Sequence, residues 1–159
     1  HTGDPGDPIY AFDLAVERVA AAADAARSLK QDFVFTARCE NFLWNKPDLD
    51  DTIRRLQAYE KAGADVVYAP GLTDVETVTK VCQAVSKPVN VLVVAGFSVA
   101  ELAKAGAKRL SLGSKLTTYC YGMLQTASRE MLEDGTFGFS RAGMPFGKVQ
   151  ELFSQGLKK

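Results

Sequence analysis

The sequence predicts an α/β fold built on four parallel strands, and three observations carry that expectation. Strand-like and helix-like stretches alternate at spacings of roughly 20–30 residues, the cadence of βαβ units. Ala-Gly-Ala recurs at Ala62-Gly63-Ala64 and Ala105-Gly106-Ala107, where a helix can leave through a left-handed glycine into the next strand. The strands are apolar nearly throughout, as at Val66, Val67, Tyr68 and again at Val89, Val91, Leu92, Val93. Such runs suit a sheet covered on both faces. Four strands are too few to close a barrel, and a helix rather than a strand comes first.

Taken in order, the chain opens on a turn-rich stretch, Asp4-Pro5-Gly6-Asp7-Pro8, without apolar periodicity. Ile9 to Leu29 reads as a helix, with Phe12, Ala15, Val16, Val19, Ala22, Ala23 and Ala26 on one stripe. Phe33–Ala37 is a strand that runs on to Arg38. Asp48–Ala62 is a helix capped by Asp50 or Asp51 and ended by Gly63. Asp65–Ala69 is a strand and Asp74–Val85 a helix; Pro88–Val94 is a strand and Ser98–Ala105 a short helix; Arg109–Leu112 is the last strand. Lys115–Glu133 is a long helix, Gly135–Gly143 a loop, and Phe146–Phe153 a final short helix.

The composition excludes several functions. The 159 residues carry 19 basic and 19 acidic groups at 47% hydrophobic content, so no basic stripe invites nucleic acid. The longest uncharged run, Pro88–Ala100, is too short to span a bilayer. Cys39, Cys82 and Cys120 are widely spaced without a CxxC, and the one histidine is His1. That pattern argues against a zinc cluster and against Ser-His-Asp or Cys-His catalysis. With no leader-like opening segment, the expectation is a cytoplasmic protein.

The most telling stretch is Phe33-Val34-Phe35-Thr36-Ala37-Arg38-Cys39-Glu40. At period two, Val34, Thr36, Arg38 and Glu40 share one face, and Phe33, Phe35 and Ala37 the other. A guanidinium at a strand's C-terminal end suits a planar anion, because its fork of donors meets a carboxylate bidentately. A plain Arg38–Glu40 surface pair is the competing reading. Cys39 points away from Arg38 as a small apolar residue; Phe42 and Trp44, in the Asn41–Pro47 loop, either close over the strand's end or pack within their own loop.

Phe35-Thr36-Ala37-Arg38-Cys39-Glu40, Leu56-Gln57-Ala58-Tyr59-Glu60-Lys61-Ala62-Gly63-Ala64-Asp65, Pro88-Val89-Asn90 and Leu112-Gly113-Ser114 together resemble the isocitrate lyase and phosphoenolpyruvate mutase superfamily, nearer its mutase- and decarboxylase-like members. The resemblance implies the C-terminal half of a (β/α)8 TIM barrel. Residues 1–144 would be that half, starting at the fourth helix. Residues 145–159 would be a C-terminal helix and tail, open to swapping onto a neighbouring subunit in a homo-oligomer. It further implies that Mg²⁺ is held, mostly through water, by acidic residues upstream of residue 1, so that no metal ligand falls in this chain. Thr2, Gly3, Asp4, Gly6 and Asp7 would then lie in the gating loop.

Carried over by position, Arg38 is the catalytic, substrate-holding arginine, gripping a carboxylate or phosphonate. Glu40 orients it from behind, while Asn90 and Ser114 are further substrate-binding positions. Asn90 sits among apolar neighbours and must find a partner; Ser114 could equally be a helix cap. The lyases' general-acid cysteine is missing from Asp4-Pro5-Gly6-Asp7-Pro8, and their glutamate is missing from Ala69-Pro70-Gly71, which disfavours a true isocitrate or methylisocitrate lyase. What the resemblance leaves is Mg²⁺-dependent cleavage of a C–C or P–C bond in a small 2-oxo acid or phosphonate through an enolate. The alternative is an inactive truncated half-barrel that only binds an anion or assembles with itself. An open half-barrel with Val34, Thr36 and Val67 uncovered is not expected to be a stable monomer.

Overall fold

Four short strands alternate with helices in the first part of the chain. They are β1 (Thr36–Arg38), β2 (Val66–Tyr68), β3 (Val89–Leu92) and β4 (Arg109–Ser111). They form one parallel sheet in the order β1-β2-β3-β4. The helices are α1 (Phe12–Arg27), α2 (Leu49–Lys61), α3 (Val75–Ala84) and α4 (Val99–Lys104), followed by α5 (Lys115–Arg129) and α6 (Phe146–Gly156). The structure, a computed structural model, describes residues 1–156. The last residues of the expected 145–159 tail, 157–159, lie outside the described residues. The chain divides into two compact units, His1–Gly113 and a second from Ser114 onward.

In the first unit, caps fix where helices begin. Asp48 starts α2 by accepting from the Asp51 amide at 2.8 Å. The cap is thus two or three residues earlier than Asp50 or Asp51, both of which lie inside the helix where their charge favours its N-terminus. Asp74 caps α3 through the Thr77 amide at 2.7 Å, and Ser98 with Glu101 closes a capping box on α4. Gly63 and Gly106 end their helices at φ +106° and +104°, and a Cβ at either would sit 3.0 Å from Ala23 or Cys82. The Ala-Gly-Ala repeat therefore records both a left-handed exit and close helix packing.

The core lies between the sheet and α1–α4: Leu56, Val67, Val78, Val81, Val91 and Leu102 are all essentially inaccessible. In the β1–β2 register Thr36 faces Val66, Ala37 faces Val67 and Arg38 faces Tyr68. Val67 thus shares Ala37's helix-facing side and is 0% exposed, not uncovered with Val34 and Thr36 as expected. Cys39 is buried on the helix side, as the alternation predicted. β1 is shorter than expected because it is an edge strand with one neighbour. Phe33 and Val34 precede its pairing and stay exposed, and the Phe35 amide donates to the Asp65 carboxylate at 2.9 Å. Ile9 and Tyr10 likewise precede α1.

The second unit starts with α5, whose last residues give way to a π-helical turn over Glu130–Asp134 instead of continuing as α-helix. The Glu130 carboxylate gathers the following loop, accepting from Thr136 Oγ1 at 2.8 Å and from the amides of Gly138 and Phe139. Gly138–Ala142 adds a 3₁₀ turn inside the expected loop. α6 runs three residues beyond Phe153. No residue of α5 or α6 is buried, and Tyr119, Leu132, Phe146 and Phe153 are each more than half exposed. No helix among the described residues is long and apolar enough to cross a membrane.

Candidate functional site

The face of the sheet turned away from the helices is polar. Register places Arg38, Tyr68, Asn90 and Arg109 in one row across the strands. Residues paired this way in a parallel sheet project to the same side, so a period-two count on β1 extends across the whole floor. Arg109 reaches over that floor from one edge strand to the other, where its Nη1 donates to Thr36 Oγ1 at 3.3 Å.

Arg38 ends β1 with its side chain about half exposed. Its Nε donates to Glu40 Oε1 at 2.7 Å, and its guanidinium carbon lies 5.2 Å from the centroid of the Tyr68 ring. One edge and one face of the guanidinium are thereby held, and none of the described residues accepts from either Nη. Glu40 is 11% exposed, and its second oxygen, Oε2, is buried without a partner. A surface pair between two solvated side chains would look different. The carboxylate is drawn inward because Cys39 still donates to the Tyr68 carbonyl at 2.8 Å, keeping the chain in the sheet. It then turns, with Trp44 N bonded to Glu40 O at 3.1 Å.

Asn90, 2% exposed, sits two strands from Arg38 on the same face. Its Nδ2 donates to Ser111 Oγ at 3.0 Å, and that hydroxyl in turn donates to the Val91 carbonyl at 3.4 Å. The direction of this relay leaves Oδ1 as the open atom, a buried acceptor without a partner. Ser114 belongs to the second unit. It occupies the N-cap position of α5 without a side-chain cap bond, and its carbonyl accepts from the Thr118 amide at 2.8 Å.

Beneath Glu40 a second network ties the loops together. Asp51 accepts from Arg55 Nε at 2.6 Å, Arg54 Nη2 at 2.6 Å and Asn41 Nδ2 at 2.9 Å, and Arg55 Nη1 reaches the Tyr10 carbonyl at 2.9 Å. Burial pushes the Asp51 carboxyl up, but the bonds from Arg55, Arg54 and Asn41 outweigh it and hold the group at about 2. Cys39 is 2% exposed and burial raises its thiol above its ordinary range, the setting of a structural core cysteine. A cleft of about 370 Å³ opens over this network, lined by Asp7, Asn41, Lys46, Asp51 and Arg55.

The expected gating residues make a self-contained loop. Thr2 Oγ1 donates to the Asp7 carbonyl at 2.5 Å and accepts from the Asp4 amide at 3.0 Å, while Asp4 Oδ1 accepts from Gly6 N at 2.8 Å. Gly3 takes φ +93° between them. Among the described residues no three His, Cys, Asp or Glu side chains gather where they could share a cation. Asp4 is turned to its own backbone, and Asp51 is bonded to two arginines.

Tyr68, Ser111 and Arg109 were not among the expected site residues. Each is identifiable only through strand register, which no single strand's pattern contains.

Residues 1–132 match the family model described as phosphoenolpyruvate phosphomutase. A crystal structure from Burkholderia cenocepacia J2315, provisionally described as a lyase/mutase, is 49% identical with a TM-score of 0.90, covering 96% of this chain and 56% of that one. Phosphoenolpyruvate phosphomutase from Streptomyces platensis subsp. rosaceus is 28% identical at TM-score 0.74, over 93% of this chain and 52% of that one. An uncharacterized Mycobacterium tuberculosis protein (strain H37Rv) is 35% identical over 98 residues, which are 60% of this chain and 38% of that protein. This chain therefore spans about half the length, or less, of the relatives it matches. Its four-stranded α/β architecture is part of their barrel, and the chain belongs to the phosphoenolpyruvate phosphomutase family.

Proposed function

We propose that this chain supplies the anion-gripping part of a lyase/mutase-type active site acting on a small 2-oxo acid or phosphonate. The carrying observation is Arg38, whose guanidinium is fixed on one edge by Glu40 and on one face by Tyr68 while both Nη groups stay open at the strand's C-terminal end. That is the end where parallel barrels assemble their chemistry. Two coplanar donors meet a carboxylate or phosphonate bidentately. Cleavage of a C–C or P–C bond beside a carbonyl leaves an electron pair that spreads onto oxygen as an enolate. A positive group already aimed at the adjoining anion acts on that growing charge as well as on binding. Magnesium is the cofactor this reading calls for; the described residues would contribute the clamp and not the metal's ligands.

The test is Arg38→Ala and Arg38→Lys in the full-length protein, following kcat/KM with oxaloacetate and phosphonopyruvate. Losing a bidentate charged partner costs ~2–5 kcal/mol, or roughly 30- to 4,000-fold. Lysine should not rescue, for want of the planar fork. A loss below about threefold on whichever substrate is turned over makes Arg38 a structural residue.

A further inference from the structure

We infer that Tyr68 is the positioning residue for the Arg38 fork: its ring sets the plane in which the guanidinium presents its two Nη donors to the anion. The inference rests on the reading of Arg38 as the anion-binding group and adds the residue that aims it.

A guanidinium at the end of a strand has several rotatable bonds between it and the backbone, and one hydrogen bond cannot fix a plane. Glu40 holds Nε at 2.7 Å, which sets where that edge lies but leaves the group free to roll about the bond. Tyr68 removes the roll. It is paired with Arg38 in the β1–β2 register, so both side chains leave the same face of adjacent strands. The guanidinium carbon then lies 5.2 Å from the ring centroid, within the distance at which a cation is drawn to an aromatic face. Tyr68 is itself only 9% exposed. The ring is a fixed floor and not a second mobile side chain, and a desolvated face attracts a cation more strongly than a wet one. With one edge and one face held, both Nη groups stay without an acceptor among the described residues.

The experiment measures oxalate binding to the full-length protein by calorimetry in a double-mutant cycle. Tyr68→Leu removes the ring face, Tyr68→Phe keeps it, and pentafluorophenylalanine at position 68 keeps the shape while reversing the charge of the face. With Arg38 present, Tyr68→Leu and the fluorinated ring should each weaken oxalate about fivefold, and Tyr68→Phe should stay within about twofold. In an Arg38→Ala background, Tyr68→Leu should have no further effect, because its action runs through the guanidinium. Equal losses from Tyr68→Leu with and without Arg38, or a fluorinated ring as good as phenylalanine, overturn the inference while leaving the anion clamp standing. Should Arg38→Ala bind oxalate as well as the parent protein, the clamp and its aiming residue fall together.

Discussion

Glu40 holds Arg38 with one carboxylate oxygen and buries the other without a partner. A carboxylate 2.7 Å from the guanidinium also competes with any incoming anion for its charge. Alignment and competition therefore pull in opposite directions, and substitution should separate them.

Glu40→Gln keeps an acceptor for Nε but removes the competing charge. We expect KM to fall with kcat within about threefold, whereas Glu40→Ala, which removes the acceptor as well, should lower kcat about 10- to 100-fold, the scale of a misaligned catalytic group. Steady-state kinetics on the full-length protein decide it. A raised KM at unchanged kcat would show Glu40 acting in binding and not in alignment.

The Asn90–Ser111–Val91 relay predicts an order of stabilities. Ser111→Ala strands the buried Nδ2 of Asn90 and should cost about 1–3 kcal/mol. Adding Asn90→Leu removes the stranded donor and the unpartnered Oδ1 together, so the double variant should recover part of that loss. Urea denaturation reads both. A Ser111→Ala effect under about 0.5 kcal/mol, the range of ordinary surface changes, contradicts the relay.

Asp51 predicts an acid dependence with a definite sign. Its carboxyl is held at about 2, against an ordinary 3.8. A group depressed in the fold stabilises fully above its unfolded pKa and loses that contribution as pH falls through the folded value. The parent protein should therefore lose stability between about pH 4 and pH 2 beyond what Asp51→Asn loses, with the variant lower by about 2 kcal/mol at neutral pH. Denaturation curves at stepped pH test this; parallel curves for the two proteins refute it.

Gly71 meets the loop that follows Glu40. At φ +97°, a Cβ there would fall 2.8 Å from Phe42 C and 2.9 Å from Leu43 N, both backbone. Gly71→Ala should cost about 3 kcal/mol and weaken anion binding by displacing that loop. Gly96 has a similar φ of +94° with nothing within 4 Å, so Gly96→Ala should cost only about 1 kcal/mol of backbone strain. Equal effects at the two positions would mean the contact with Phe42 is not tight.

What was legible in the sequence was whatever a single segment determines. The four strands, their helices, the Gly63 and Gly106 exits and the outward Arg38 all follow from local period and turn chemistry. Four things were not legible. The side Val67 takes is set by its pairing with Ala37 and not by its own strand's pattern. Phe33 and Val34 have strand composition but no second strand to pair with, so β-propensity was overruled by the sheet's edge. Tyr68 looked like one more apolar strand residue until the register set it under a guanidinium. The cap falls on Asp48 and not on the expected Asp50 or Asp51, because composition alone does not say which aspartate reaches an amide three residues on.

The bond from Arg109 Nη1 to Thr36 Oγ1 joins the first residue of β4 to the first residue of β1, the two outermost strands of the sheet. Geometrically it is a chord subtending the arc of four strands. Its length is capped by the reach of one arginine, so the sheet can curl more tightly but cannot flatten without releasing it. Flattening the floor on which Tyr68 and Asn90 stand would therefore cost at least this bond, made by a side chain that need touch no ligand.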